Sequence, residues 1–341
     1  MSSAPVPGGS APEPPARERR GHDESGALAT LRYLRLMLPI PAILIAVATA
    51  FEAGQSGFWR ESISDYYQGP VRDVFVGGLM AAGICMIIYK GESKLEDYAL
   101  NFAGLNAFFV ALVPNNFTDV LREAPTQAFD SATRALTRQE LLSNLHLVLL
   151  AFLVTAVIYV IVDSRMSHWT RYTLKGQRPI SIVMVCLAWA LEIVFLVAVV
   201  LRLAVLERET VAGFSIFQAT HFGAAVLLIV NLSFAVASNA WPDRLRARSE
   251  GWHTSRAIQS TYVVIALLMW LGLVVGFVMI VGDVPWAIII TEYYAIAMFI
   301  SFWVVSIYAA ERRARTNTGP TTAVAGDRVE RSDEFREATP Q

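Results

Sequence analysis

Ser62, Ser64, Asp65, Arg72, Asp73, Asn115, His146, Glu192, Arg202, His221 and Glu292 are the residues of this chain whose types can do chemistry among apolar surroundings. Hydroxyls and amides recognise polar groups, carboxylates and imidazoles carry protons, and the two together hold metal ions. The densest polar stretch is ESISDYYQGPVRDVFVGG, residues 61 to 78, where serines, acids, an arginine and paired tyrosines abut an apolar run. Within it Ser62 to Asp65 has the Ser-x-x-Asp spacing that opens a short helix.

Three chemistries fit this set. In the first, the residues line a polar pocket that binds or moves a small solute or a lipid headgroup, with Glu192 and Glu292 as proton-linked groups. In the second, Asp73, His146 and His221 hold a zinc ion with an open position, and Glu292 or a bound water acts as base in lipid hydrolysis. No HxxxH or HExxH puts two ligands on one helix face, so that ligand set has to assemble from separate spans. In the third, the polar groups only lock helices together in a structural or sensory protein. The solute reading ranks first because motif support for metal is thin.

Each residue also has a plainer role. Arg72 and Asp73 read as a solvated helix start after Gly69-Pro70, the two histidines as core groups bonding carbonyls, and Glu292 as a structural partner of Arg202 or Arg72. Glu192 lies mid-span, with Arg202 about 15 Å further along the same helix, too far for direct pairing.

The elements that must position these groups follow from composition. The chain has 341 residues, 55% hydrophobic and 17% charged, with a mean hydropathy of +0.45. Soluble domains carry about 25% charged residues. Here the charges gather between long apolar runs, the pattern of an all-α, polytopic helical bundle in the lipid bilayer. Net charge is −1 with no basic stripe, which argues against nucleic acid as a partner. Cys85 and Cys186 both fall in apolar runs and read as small buried hydrophobes rather than a disulfide or redox pair.

Segments near 34–53, 71–89, 97–114, 143–163, 179–201, 216–236, 257–281 and 285–309 each offer close to the ~20 residues a membrane-spanning helix needs. Arginine and lysine concentrate in alternate linkers and at both ends of the chain, as with Arg165, Arg171, Lys175 and Arg178, or Arg244, Arg246 and Arg248. The positive-inside rule then predicts both termini in the cytoplasm of a cell carrying this protein in its cytoplasmic membrane, and hence an even number of spans. Residues 1–30 and 313–341 read as disordered cytoplasmic tails around a transmembrane domain at 31–312, with an extracytoplasmic loop at 114–143. In this topology six of the eight spans bring a polar group to similar depth on the outer side, which predicts an outward-facing pocket with residues 61–67 as its lip.

The run SISDYY…VRDVFVGGL…YKG…ALNFAG…ALVP resembles a family of uncharacterised bacterial multi-pass membrane proteins with an SxSxYY, RDVFVG, Tyr-x-Gly, Ala-Leu-Phe-Pro pattern. Ser62, Ser64, Tyr66, Tyr67, Arg72, Asp73, Phe75, Gly77, Tyr89, Gly91 and Pro114 carry the likeness over roughly residues 60 to 115. The resemblance implies a shared site around those residues and no assigned reaction. The chain is more distantly similar to the membrane hydrolases grouped with alkaline ceramidases and adiponectin receptors, whose serine, aspartate and histidines imply a zinc site. Their paired histidines on one late helix are missing here.

Overall fold

The computed structural model describes residues 29–124, 136–166, 178–204, 210–211, 214–240 and 255–317. The chain forms an all-α bundle of long antiparallel helices. They are α1 (Ala29–Ser56), α2 (Arg72–Ile88), α3 (Lys94–Leu112), α5 (Arg138–Met166), α6 (Pro179–Ala204), α7 (Ile216–Ala240), α8 (Arg256–Val281) and α9 (Ala287–Asn317). A short helix α4 (Phe117–Glu123) follows α3, and a 3-10 turn occupies Ile63–Gln68. A two-residue antiparallel pair, β1 (Thr210–Val211) with β2 (Phe214–Ser215), lies between α6 and α7. The central segment of the 114–143 loop and most of both expected tails lie outside the described residues. Helix α9 continues to Asn317, past the boundary expected at 312.

Seven of the eight long helices are long and apolar enough to cross a membrane. Helix α2, with 17 residues, is the shortest, about 25 Å at 1.5 Å per residue. Whether it traverses the bundle is answered by an ion pair. Glu92, just after α2, bonds Arg35 of α1 at 2.8 Å and Arg313 of α9 at 2.7 Å. The start of α1 and the end of α9 therefore share one end of the bundle, and an even number of traverses must separate them. Helix α2 makes that number eight.

Local signals shape the ends. Gly57 closes α1 in the left-handed conformation (φ 76°), donating its N–H to Ala53. Ser93 caps α3 by accepting from the Glu96 N–H at 3.1 Å. Thr137 and Glu140 form a reciprocal capping box at the start of α5.

Helix α3 is the axis of the molecule and packs most extensively on α7 and α2. Its alanine stripe, Ala99, Ala103, Ala107 and Ala111, is buried throughout and lets the neighbouring backbones come close. Gly83 of α2 and Gly104 of α3 meet so tightly that a Cβ on Gly104 would lie 2.6 Å from the Gly83 carbonyl oxygen. The outward faces are apolar, with Leu147, Leu150 and Val157 of α5 and Val274, Phe277 and Val278 of α8 exposed. Lipid tails are the medium that such faces need.

Candidate functional site

The antiparallel packing of α3 on α7 brings buried polar groups together at three levels. At one end Glu96 of α3 accepts from the Asn239 side chain of α7 at 3.0 Å and from the Glu92 N–H at 2.6 Å. In the middle Asn106 of α3 donates to Glu192 of α6 at 2.8 Å, and the Asn231 side chain of α7 hydrogen-bonds the same carboxylate. Toward the other end His221 of α7 meets the Val113 carbonyl that closes α3, at 2.7 Å. These levels are separated by about 15 and 10 Å along α3 and about 12 and 15 Å along α7, so they form rungs across one antiparallel interface.

The middle rung differs from the others. Glu192 sits half-way along the 26-residue α6. Asn106, Glu192 and Asn231 are each 1% exposed or less. The Asn106 amide group donates to both the Phe102 carbonyl and Glu192 Oε2, each at 2.8 Å. Turning that amide over would set its oxygen against two acceptors, so its orientation is determined. Asn106 Oδ1, Glu192 Oε1 and Asn231 Oδ1 are buried and have no hydrogen-bond partner among the described residues. The Glu96 rung, by contrast, has a donor on each carboxylate oxygen.

The other expected centre is Glu292. It accepts from Ser62 Oγ at 2.8 and 3.0 Å and from the Ile63 N–H, while Ser62 and Ser64 share a hydrogen bond at 2.7 Å. Ser62 and Asp65 complete a reciprocal capping box around the 3-10 turn, and Asp65 also accepts from Asn116. Residues 61–68 are thus seated on α9, and Ile289 adds a backbone bond to Glu61 at 2.9 Å. Burial pushes the Asp65 carboxyl above its ordinary range, with the Ser62 and Asn116 bonds opposing that rise and Glu61 adding to it.

Several expectations are corrected. Glu292 does not pair with Arg202 or Arg72; its oxygens are taken by Ser62 and Ile63. Arg72 and Asp73 are exposed, and Arg72 stacks over the Tyr67 ring at 4.8 Å, so the pair is a solvated helix start. Arg202 is half-buried at the end of α6, and Asn115 is buried, its Oδ1 without a hydrogen-bond partner among the described residues. His146 is half-buried and its Nε2 has no partner among the described residues. Asp73, His146 and His221 do not make a zinc site. Among the described residues no three His, Cys, Asp or Glu side chains are grouped to hold a metal, and His221 spends Nδ1 on a backbone carbonyl.

Sequence reasoning passed over the opposite end of the bundle. There Arg35 donates to the Tyr89 hydroxyl and to Glu92, and Glu92 also binds Arg313. Glu96 lies three residues after the capping Ser93, yet its carboxylate points to Asn239. The available signal was Asn231 and Asn239, two amides eight positions apart in an otherwise apolar helix.

No family model, curated protein or solved structure matches the chain.

Proposed function

We propose that the protein is a multi-pass protein of the cytoplasmic membrane, both termini inside, that binds and translocates a small solute, with Glu192 as the group that takes up and releases positive charge. The observation that carries this reading is the middle rung: a buried carboxylate half-way along α6, held by amides of α3 and α7, beside oxygens that have no hydrogen-bond partner among the described residues. An ionisable group there disfavours insertion by about 2.5–3.5 kcal/mol. Glu96 and Glu292 cross-link helices with a donor on each carboxylate oxygen, whereas Glu192 Oε1 has no partner among the described residues. The orientation is supported by the arginine-rich end that Arg35 and Arg313 share.

A carboxylate in this position works by exchanging charge as the bundle exposes it first to one side and then to the other. Its neighbours hold it still: Asn106 fixes one oxygen and leaves the second available. The polar turn at 61–67, in family-like sequence SISDYY, is then the solute-facing lip of the Glu292 end.

The test is purified protein reconstituted into vesicles loaded with a pH-sensitive dye. An imposed pH gradient is expected to collapse faster than in protein-free vesicles, and the excess to disappear in Glu192→Gln. Equal rates for wild type, Glu192→Gln and empty vesicles would reject the translocation reading.

A further inference from the structure

We propose that Asn106, Glu192 and Asn231 form an occluded binding site for one monovalent alkali cation of the sodium class. This deepens the proposed function at the same rung by naming what neutralises Glu192.

The argument begins with acceptors. Three buried oxygens, Asn106 Oδ1, Glu192 Oε1 and Asn231 Oδ1, belong to side chains that meet at Glu192, and none has a hydrogen-bond partner among the described residues. The Asn106 amide cannot be reversed to relieve this, because the Phe102 carbonyl requires a donor. A proton on Glu192 supplies one donor and so satisfies one amide oxygen, leaving the other bare at a cost of about 1–3 kcal/mol. A cation accepts electron density from all three at once. Carboxylate and amide oxygens are the ligands that hard cations prefer.

Charge then selects valence. Glu192 is the one carboxylate of the rung, and Asn106 and Asn231 are neutral. A single positive charge gives a neutral complex, whereas a divalent ion would leave a net charge buried in apolar surroundings, which is strongly disfavoured.

The walls supply the occlusion. One turn toward the Val113 end, Phe109 of α3 and Phe195 of α6 meet edge to face at 5.2 Å. One turn the other way, Phe102 of α3 and Trp189 of α6 meet edge to face at 4.9 Å. The polar rung therefore lies between two aromatic pairs built by the same two helices. Each pair closes the rung along these two helices, and release past it requires that pair to part.

The experiment uses the full-length protein purified in detergent, with 22Na+ binding by scintillation proximity beside thermal unfolding in sodium, potassium or choline chloride at equal ionic strength. Saturable 22Na+ binding is expected, with a rise in Tm of about 2–4 °C over choline as sodium goes from about 1 to 300 mM. Glu192→Gln, close in shape to the native residue, is expected to lose both signals. Phe109→Ala is expected to keep sodium binding but exchange the bound ion faster. Absence of 22Na+ binding to well-folded wild type, with identical melting in all three salts, would overturn the site and leave Glu192 as a carboxylic acid. 22Na+ binding without 22Na+ uptake into vesicles of the same protein would keep the site and reject translocation; proton flux in the dye assay without 22Na+ binding would do the reverse.

Discussion

Ser62 and Glu292, 230 positions apart in sequence, are joined by hydrogen bonds of 2.8 and 3.0 Å, and the Ile63 N–H points at the same carboxylate. This side chain of α9 thereby holds the start of the 61–68 turn, beside the Ile289–Glu61 backbone bond and the Asn116–Asp65 bond. Removing the carboxylate in Glu292→Ala leaves a buried hydroxyl and a backbone N–H without an acceptor, worth about 1–3 kcal/mol for each group. The expected outcome is a clear fall in the unfolding temperature in detergent, with faster hydrogen exchange at residues 61–68. Glu292→Gln keeps one acceptor oxygen and should lose less. Unchanged exchange in Glu292→Ala would show that the turn is held by other contacts.

The pH response of the same turn has a definite sign. Burial raises the Asp65 carboxyl above its unfolded value, so the folded protein binds that proton more tightly than the unfolded chain. The resulting stabilisation is complete below the ordinary aspartate range, about pH 4, and is lost as pH rises through the raised value. Asp65→Asn keeps an acceptor for the Ser62 N–H and removes the titration. Comparing unfolding temperatures of the two proteins from acid to neutral pH should show a steeper decline with rising pH in wild type. Parallel curves would contradict the assignment.

Gly272 and Gly276 have the spacing that often joins transmembrane helices of separate chains. Here the space above them is filled from within: a Cβ at Gly272 would lie 2.4 Å from the Tyr294 ring, and one at Gly276 would lie 2.7 Å from Thr291. Overpacking of this kind destabilises by about 1–3 kcal/mol. Gly276→Val is expected to lower the unfolding temperature while leaving the oligomeric state unaltered. Light scattering of the detergent complex measures the second quantity, and a change there would mean that the stripe also serves an interface between copies.

The helices were legible because each span states itself locally. An apolar run of about 20 residues bounded by charge or Pro and Gly needs no partner to be recognised. Segments 179–201 and 257–281, for example, became α6 (Pro179–Ala204) and α8 (Arg256–Val281) with shifts of only a few residues. The capping box at Ser62 was readable for the same reason, since its bonds close within four residues. The polar residues themselves could be picked out by type, and Glu192 by its depth.

Their pairing could not. Glu292 lies at similar depth to Arg202 and Arg72, and charge alone favours an arginine partner, yet the packing of α9 against the 61–68 turn gives it Ser62 instead. His221 read as a core group bonding a carbonyl, with metal as the alternative, and the close of α3 placed the Val113 carbonyl beside it. Asn106, Asn231 and Asn239 are single amides in apolar runs, and only the antiparallel register of α3 on α7 turned them into rungs. Apolar patterning and end chemistry are properties of a segment, so the sequence by itself determined the spans and their boundaries. Register, rotation and neighbour choice depend on how side chains of different helices interlock, as where Gly83 meets Gly104. That interlocking decided which polar groups share the interior, and it set Asn106 and Asn231 on either side of Glu192.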